Sequence, residues 1–145
     1  MNASLMLFWT IWIALILFVI GEVGNRRTRW VSACGLVLLV VHIVIAFGSR
    51  HGWSHDAAMR DTARQTAAVY GLDWGGGIYA NYLFVAAWMR LLWRTGPVLT
   101  WVLRALILVV ILNAAVIFAP MPRRALGIAI VLALVCVWFE RLPES

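Results

Sequence analysis

Long apolar runs separated by short polar connections make up most of the chain. Five stand out, at residues 5–20, 31–47, 78–93, 98–119 and 125–139. Each has 15 to 22 residues, at or slightly below the roughly 20 that a helix needs to cross a hydrocarbon core. None alternates polar and apolar positions as a barrel strand does, so helices are the expected spanning elements. The shorter runs need interfacial side chains to complete a crossing. Trp9, Trp12, Trp30, Trp88, Trp93, Trp101 and Trp138 are placed to supply indoles at head-group level. The expected fold is all-α: an integral membrane bundle of about five transmembrane helices with one amphipathic extramembrane or interfacial helix, in a single domain over residues 1–145.

Most connections are short, which makes neighbouring helices antiparallel. Pro97 is suited to a first helical turn, and Pro120 and Pro122 close a tight turn. The exception is residues 48–77, long for a connection in so small a protein. Within it, residues 54–70 read as a short helix: Ser54 is a good N-cap, Asp56 suits the positive dipole end, and Gly71 is a natural stop. Asp56 and Arg60 have the spacing of a helical ion pair. Met59, Ala63, Ala67 and Tyr70 form an apolar stripe, flanked by His55, Thr62 and Thr66. Such a helix lies on a membrane surface or lids the bundle. Gly75, Gly76 and Gly77 follow without a preceding strand or a Gly-Lys-Ser/Thr sequence, so they are no phosphate loop. They let the chain turn tightly, or let another backbone approach.

Composition sharpens this picture. Of 145 residues, 64% are hydrophobic and 12% charged, whereas a soluble domain is about half apolar and a quarter charged. Soluble and disordered classes are excluded. The net charge of +6 comes from twelve arginines and no lysine, most of them flanking apolar runs. Arginines so placed meet lipid head groups and set topology; no basic stripe on a polar face exists to bind nucleic acid. With the N-terminus outside, Arg26, Arg27, Arg29, Arg90, Arg94, Arg104 and Arg141 fall inside, against Arg50, Arg60, Arg64, Arg123 and Arg124 outside. The outer arginines are diluted over the longer loop, which favours an outer N-terminus and an inner C-terminus. Arg104 sits two turns into its run and can snorkel inward, with Glu140 as a candidate partner. The first run lacks a basic leader and a small-x-small cleavage site, so it is expected to stay as a span.

Polar residues within the runs are costly in lipid and therefore informative. Thr10, His42, Asn81 and Asn113 all fall in the outer half on this topology, on the side covered by the loop that carries His51 and His55. One outward-facing pocket is the economical reading, with His42, His55, Tyr79, Asn81, Tyr82 and Asn113 as its ligand-binding set. The simpler alternative is that His42 hydrogen-bonds Asn113 and joins two helices. His51, His55 and Asp56 also form a candidate metal set, although Ser54 as a cap would leave His51 outside the helix. A metal ion or haem is the cofactor this would imply. Cys34 and Cys136 match no metal spacing and read as small core residues. Ala125, Ala129 and Ala133 give the last run a small-residue seam, suited to a neighbouring helix or a partner subunit. No serine, cysteine or carboxylate pair has a catalytic arrangement.

The segments His51-Gly-Trp-Ser-His55, Thr62-Ala-Arg-Gln-Thr66 and Gly75-Gly-Gly-Ile-Tyr-Ala-Asn-Tyr82 resemble small polytopic membrane proteins of planctomycete-type bacteria. The resemblance implies a bacterial inner membrane and says nothing about chemistry. Three function classes follow from the residues. The leading one is a non-enzymatic membrane protein that binds a lipid-like or small ligand in the outward pocket, or serves as a subunit of a larger complex or homo-oligomer. The second is a membrane redox or metal protein using the histidines, and the third a small-solute transporter.

Overall fold

The computed structural model describes residues 2–24, 28–93 and 96–140. Among them are six helices and no strand: α1 (Ala3–Val23), α2 (Arg29–His51), α3 (His55–Tyr70), α4 (Gly77–Leu91), α5 (Pro97–Ile111) and α6 (Arg123–Phe139). Helix α5 continues as a π-helical stretch, Leu112–Ile117. Three helices are long and apolar enough to cross a membrane: α1, α2, and α5 with its continuation. Helices α4 and α6, at 15 and 17 residues, are shorter. Arg26, Arg27, Arg94, Arg141 and Glu144, which bear on topology, lie outside the described residues.

Helices α1 and α2 form an antiparallel hairpin whose seam follows a spacing of three and four residues. Leu7 and Thr10 on α1 meet His42 on α2, Ala14 and Leu17 meet Gly35, and Gly21 meets Ser32. This is the spacing that keeps one helix face against a partner, and small residues bring the backbones close. A Cβ on Gly35 would stand 3.0 Å from the Ala14 carbonyl oxygen and 2.9 Å from the Trp88 ring.

The core is built on this hairpin. Phe18, Trp88, Ile107, Ile111 and Leu134 are its largest fully buried side chains, contributed by α1, α4, α5 and α6. Phe18 and Trp88 pack with centroids 4.6 Å apart. Trp12, Trp88 and Trp138 are thus core residues, 8%, 0% and 4% exposed, and not the interfacial anchors expected from sequence. Burial is possible because an indole N–H can be satisfied inside: Trp88 donates to Ser32 Oγ at 2.9 Å. The expected interfacial residues Trp9 and Trp30 do stand exposed, as do Trp53, Trp74 and Trp93.

Of the Ala seam on α6, Ala125 and Ala129 lie on the exposed face, the one left open to a partner subunit, while Gly127, Ile130, Leu134 and Trp138 are buried. Close approach is made by Gly127, whose hydrogen leaves room for the carbonyl of Ala115 in the π-helical stretch.

The bundle therefore has two ends. The upper end gathers the start of α1, the end of α2, helix α3, the start of α4, the π-helical stretch and the start of α6. The lower end gathers the close of α1, α4 and α6 with the start of α2 and α5.

Candidate functional site

Helix α3 crowns the upper end, and local chemistry defines both its limits. Gly52 closes α2 in the left-handed region (φ 54°) and Trp53 follows there (φ 63°), turning the chain sharply. Ser54 Oγ then accepts from the Ala57 amide at 3.2 Å, and Gly71 (φ 71°) ends the helix. Ala58 and Thr66 are its buried residues, and the helix packs on α2 and α4. The glycine run permits this docking, because a Cβ on Gly75 would stand 2.6 Å from the Met59 carbonyl oxygen. The apolar stripe of Met59, Ala63 and Ala67 flanks the buried line. The Asp56–Arg60 pair does not form; Arg64 instead binds Asp61 one helical turn away at 2.9 Å.

The polar residues expected to line one pocket are divided among separate contacts. His42 Nδ1 lies 3.0 Å from the Leu7 carbonyl oxygen and 3.1 Å from Thr10 Oγ1. A carbonyl only accepts, so Nδ1 carries the proton and donates. Thr10 Oγ1 in turn donates to the Met6 carbonyl at 2.7 Å. The expected His42–Asn113 bond is thus absent: His42 ties α2 to α1. Asn113 is held elsewhere, its Oδ1 accepting from Tyr70 at 2.6 Å while Nδ2 donates to the Val109 carbonyl. Asn113 also opens the π-helical turn, where its carbonyl accepts from the Phe118 amide. Tyr70 packs edge-on against Phe118, fastening the end of α3 to the end of α5.

His55, Tyr79 and Tyr82 come together as the sequence suggests. The His55 ring stacks over Tyr82 at 6.4 Å and lies 6.1 Å from Tyr79, with Tyr79 and Tyr82 also 6.1 Å apart. All three are exposed, and among the described residues their polar atoms make no hydrogen bond. Asn81 is exposed beside them in sequence. His51 closes α2 and packs on Phe47. Among the described residues no three His, Cys, Asp or Glu side chains gather as a metal ion requires. The upper end therefore offers a ring cluster with hydroxyl and imidazole groups, suited to polar contacts at an interface.

The lower end holds a site that the sequence did not announce. Arg104 pairs with Glu22, not with Glu140: Nε and Nη2 donate to Glu22 Oε2 at 3.0 and 2.8 Å. Trp138 Nε1 donates to the same oxygen at 2.7 Å. The guanidinium lies 5.2 Å from the Trp101 ring centre and 5.4 Å from that of Trp138. Both side chains are largely shielded, 12% and 14% exposed. Beside them runs a groove of about 220 Å³ between α5 and α6, lined by Trp101, Arg104, Ala105, Leu108, Val135, Trp138 and Phe139. The one sequence signal for the cluster was an arginine inside an apolar run, which demands a partner.

No protein family, curated protein or solved structure matches this chain.

Proposed function

We propose that the chain is a five-span, non-enzymatic membrane protein that binds a lipid-like ligand through polar contacts at its upper end and acts as a subunit within a larger membrane assembly. The observation that carries the ligand reading is the trio of His55, Tyr79 and Tyr82, exposed side by side with unused hydrogen-bonding atoms. Aromatic residues of this kind are at home among head groups. Trp53, Tyr70, Leu72 and Trp74 are also exposed around α3, which supports an interfacial position for that helix.

Five spans are supported by how the two short helices end. Tyr79 lies near the start of α4 and Trp93 just past its end, both exposed; α6 runs from Arg123 to an exposed Phe139. At 1.5 Å per residue, 15–17 residues reach roughly 22–26 Å, and interfacial side chains extend that reach. The interior supports a role in binding or assembly over catalysis. His42, Asn113, Ser32, Glu22 and Arg104 each hold one helix to another. The membrane of residence is the inner membrane of a bacterium.

The test is native purification of the full chain, with an absorption spectrum, metal analysis and lipid mass spectrometry on one sample. The expected result is a retained lipid, with no Soret band and no stoichiometric metal. The triple variant His55→Ala, Tyr79→Phe, Tyr82→Phe should lose the lipid held at the upper end, seen as a lower lipid-to-protein ratio. A stoichiometric metal or haem would replace this reading with the histidine-based redox one.

A further inference from the structure

The Glu22–Arg104 pair and the groove beside it carry a second inference, independent of the upper-end site. All three donors to Glu22 converge on one oxygen, Oε2. Among the described residues the other carboxylate oxygen, Oε1, takes no hydrogen bond, and Arg104 Nη1 gives none. Among the described residues no fully buried side-chain nitrogen or oxygen lacks a partner, so both unused atoms reach the molecular surface. A negative and a positive group thus stand side by side, each with hydrogen-bonding capacity left. Arg104 also forms part of the groove wall, whose other members are apolar.

We infer that this end of the bundle binds a phospholipid whose head group carries both a phosphate and a primary ammonium, with one acyl chain lying in the α5–α6 groove. The phosphate accepts from Arg104 Nη1, and the ammonium donates to Glu22 Oε1; both are charge-assisted bonds, the stronger kind. The charge at Glu22 decides between lipids. At Glu22 itself an acidic lipid brings a second negative charge and no cation for Oε1, and like charges brought together discriminate against a partner. A choline lipid has no N–H to give Oε1. A neutral zwitterion with a primary amine meets both groups. Depth agrees as well, because Arg104 lies seven residues from Pro97, roughly 10 Å along the helix. An arginine there snorkels toward the head groups, and Leu108 continues the groove one turn deeper, where an acyl chain belongs.

The experiment is native mass spectrometry of the full-length chain in mild detergent, equilibrated with equal amounts of phosphatidylethanolamine, phosphatidylglycerol and phosphatidylcholine. The wild type should retain one phosphatidylethanolamine with about tenfold preference over each competitor. Ala105 is exposed on the groove wall, so Ala105→Phe fills the groove without disturbing the core and should abolish the preference. Glu22→Gln removes the negative group and should turn the preference toward phosphatidylglycerol. Equal retention of the three lipids, a wild-type preference for phosphatidylglycerol, or an unchanged preference in Ala105→Phe would each overturn the inference. Should Glu22→Gln fail to fold, the wild type and Ala105→Phe decide alone. Tyr79→Phe with Tyr82→Phe should leave this preference intact, which separates this site from the upper one.

Discussion

Arg104 and Glu22, 82 positions apart in the chain, meet at 2.8 Å and bind the close of α1 to the start of α5. Trp138 joins the same carboxylate oxygen from α6, so one acidic side chain ties three helices together. Removing one partner of a shielded ion pair leaves the other charge without compensation. Arg104→Met or Glu22→Leu alone should therefore cost about 3–5 kcal/mol. Replacing both should cost less than the sum of the single changes. The exposed pair Arg64–Asp61 is the control: Arg64→Ala should change stability by about 0.5 kcal/mol or less. Unfolding titrations in mixed micelles measure all four, and equal losses at the two pairs would contradict the shielding argument.

That pair also marks the limit of what the sequence could tell. Helix α3 was legible almost to the residue because its limits are local chemistry: Ser54 caps the Ala57 amide three residues on, and only a residue that tolerates positive φ ends a helix as Gly71 does. The partner of Arg104 was not, because Glu140 and Glu22 both sit at the correct end of the bundle. Choosing between them requires knowing which helices touch. Apolar periodicity in a membrane chain says little about that, since the faces toward lipid and toward protein are both apolar. The same blindness made Trp88 and Trp138 look interfacial. A finer signal was present. Ser32 and Gly35 on α2, with Ala14 and Gly21 on α1, repeat small residues at heptad spacing, and that repeat marks the closest helix pair. At the upper end, His55, Tyr79 and Tyr82 do stand side by side, but the sequence merged them with His42 and Asn113, whose partners are on other helices.

Trp88 and Ser32 provide a second test of the core. The indole N–H is fully buried and Ser32 Oγ is its acceptor. Ser32→Ala keeps the close packing of α1 and α2 yet leaves that donor unsatisfied, at a cost of about 1–3 kcal/mol. Ser32→Ala combined with Trp88→Phe should recover part of the loss, because the orphaned donor is gone. A double variant no more stable than the sum of its singles would show that the bond contributes little.

His42 and Thr10 should behave as one unit. His42→Leu removes the donor to the Leu7 carbonyl, and Thr10→Val removes the adjacent hydroxyl. Each should cost about 0.6–2 kcal/mol, typical of hydrogen bonds between membrane helices, and together less than the sum. Arg123→Leu, which loses only a contact over the Phe8 ring, should cost less than His42→Leu. Asn113→Leu should add independently to His42→Leu, since the two share no partner. Coupling between His42 and Asn113 would restore the single-pocket arrangement.

Helix α3 is fastened at its far end by the Tyr70–Asn113 bond. Tyr70→Phe removes the hydroxyl but keeps the ring against Phe118, so the bundle should stay folded while α3 loosens. Arg60 and Arg64 are exposed on that helix, and trypsin cleaves only where several residues of backbone can open. Loss of one hydrogen bond of about 0.5–1.5 kcal/mol should raise the cleavage rate at these arginines by roughly two- to tenfold when local opening governs access. The protease applied to sealed, right-side-out vesicles tests topology in the same experiment. With the N-terminus outside, α3 faces the added enzyme and is cut, and a cysteine at Trp30, an exposed lower-end position, stays unlabelled by an impermeant maleimide once Cys34 and Cys136 are replaced by alanine. Cleavage only after the vesicles are opened, together with labelling at residue 30, would reverse the orientation and place the Glu22–Arg104 site in the outer leaflet.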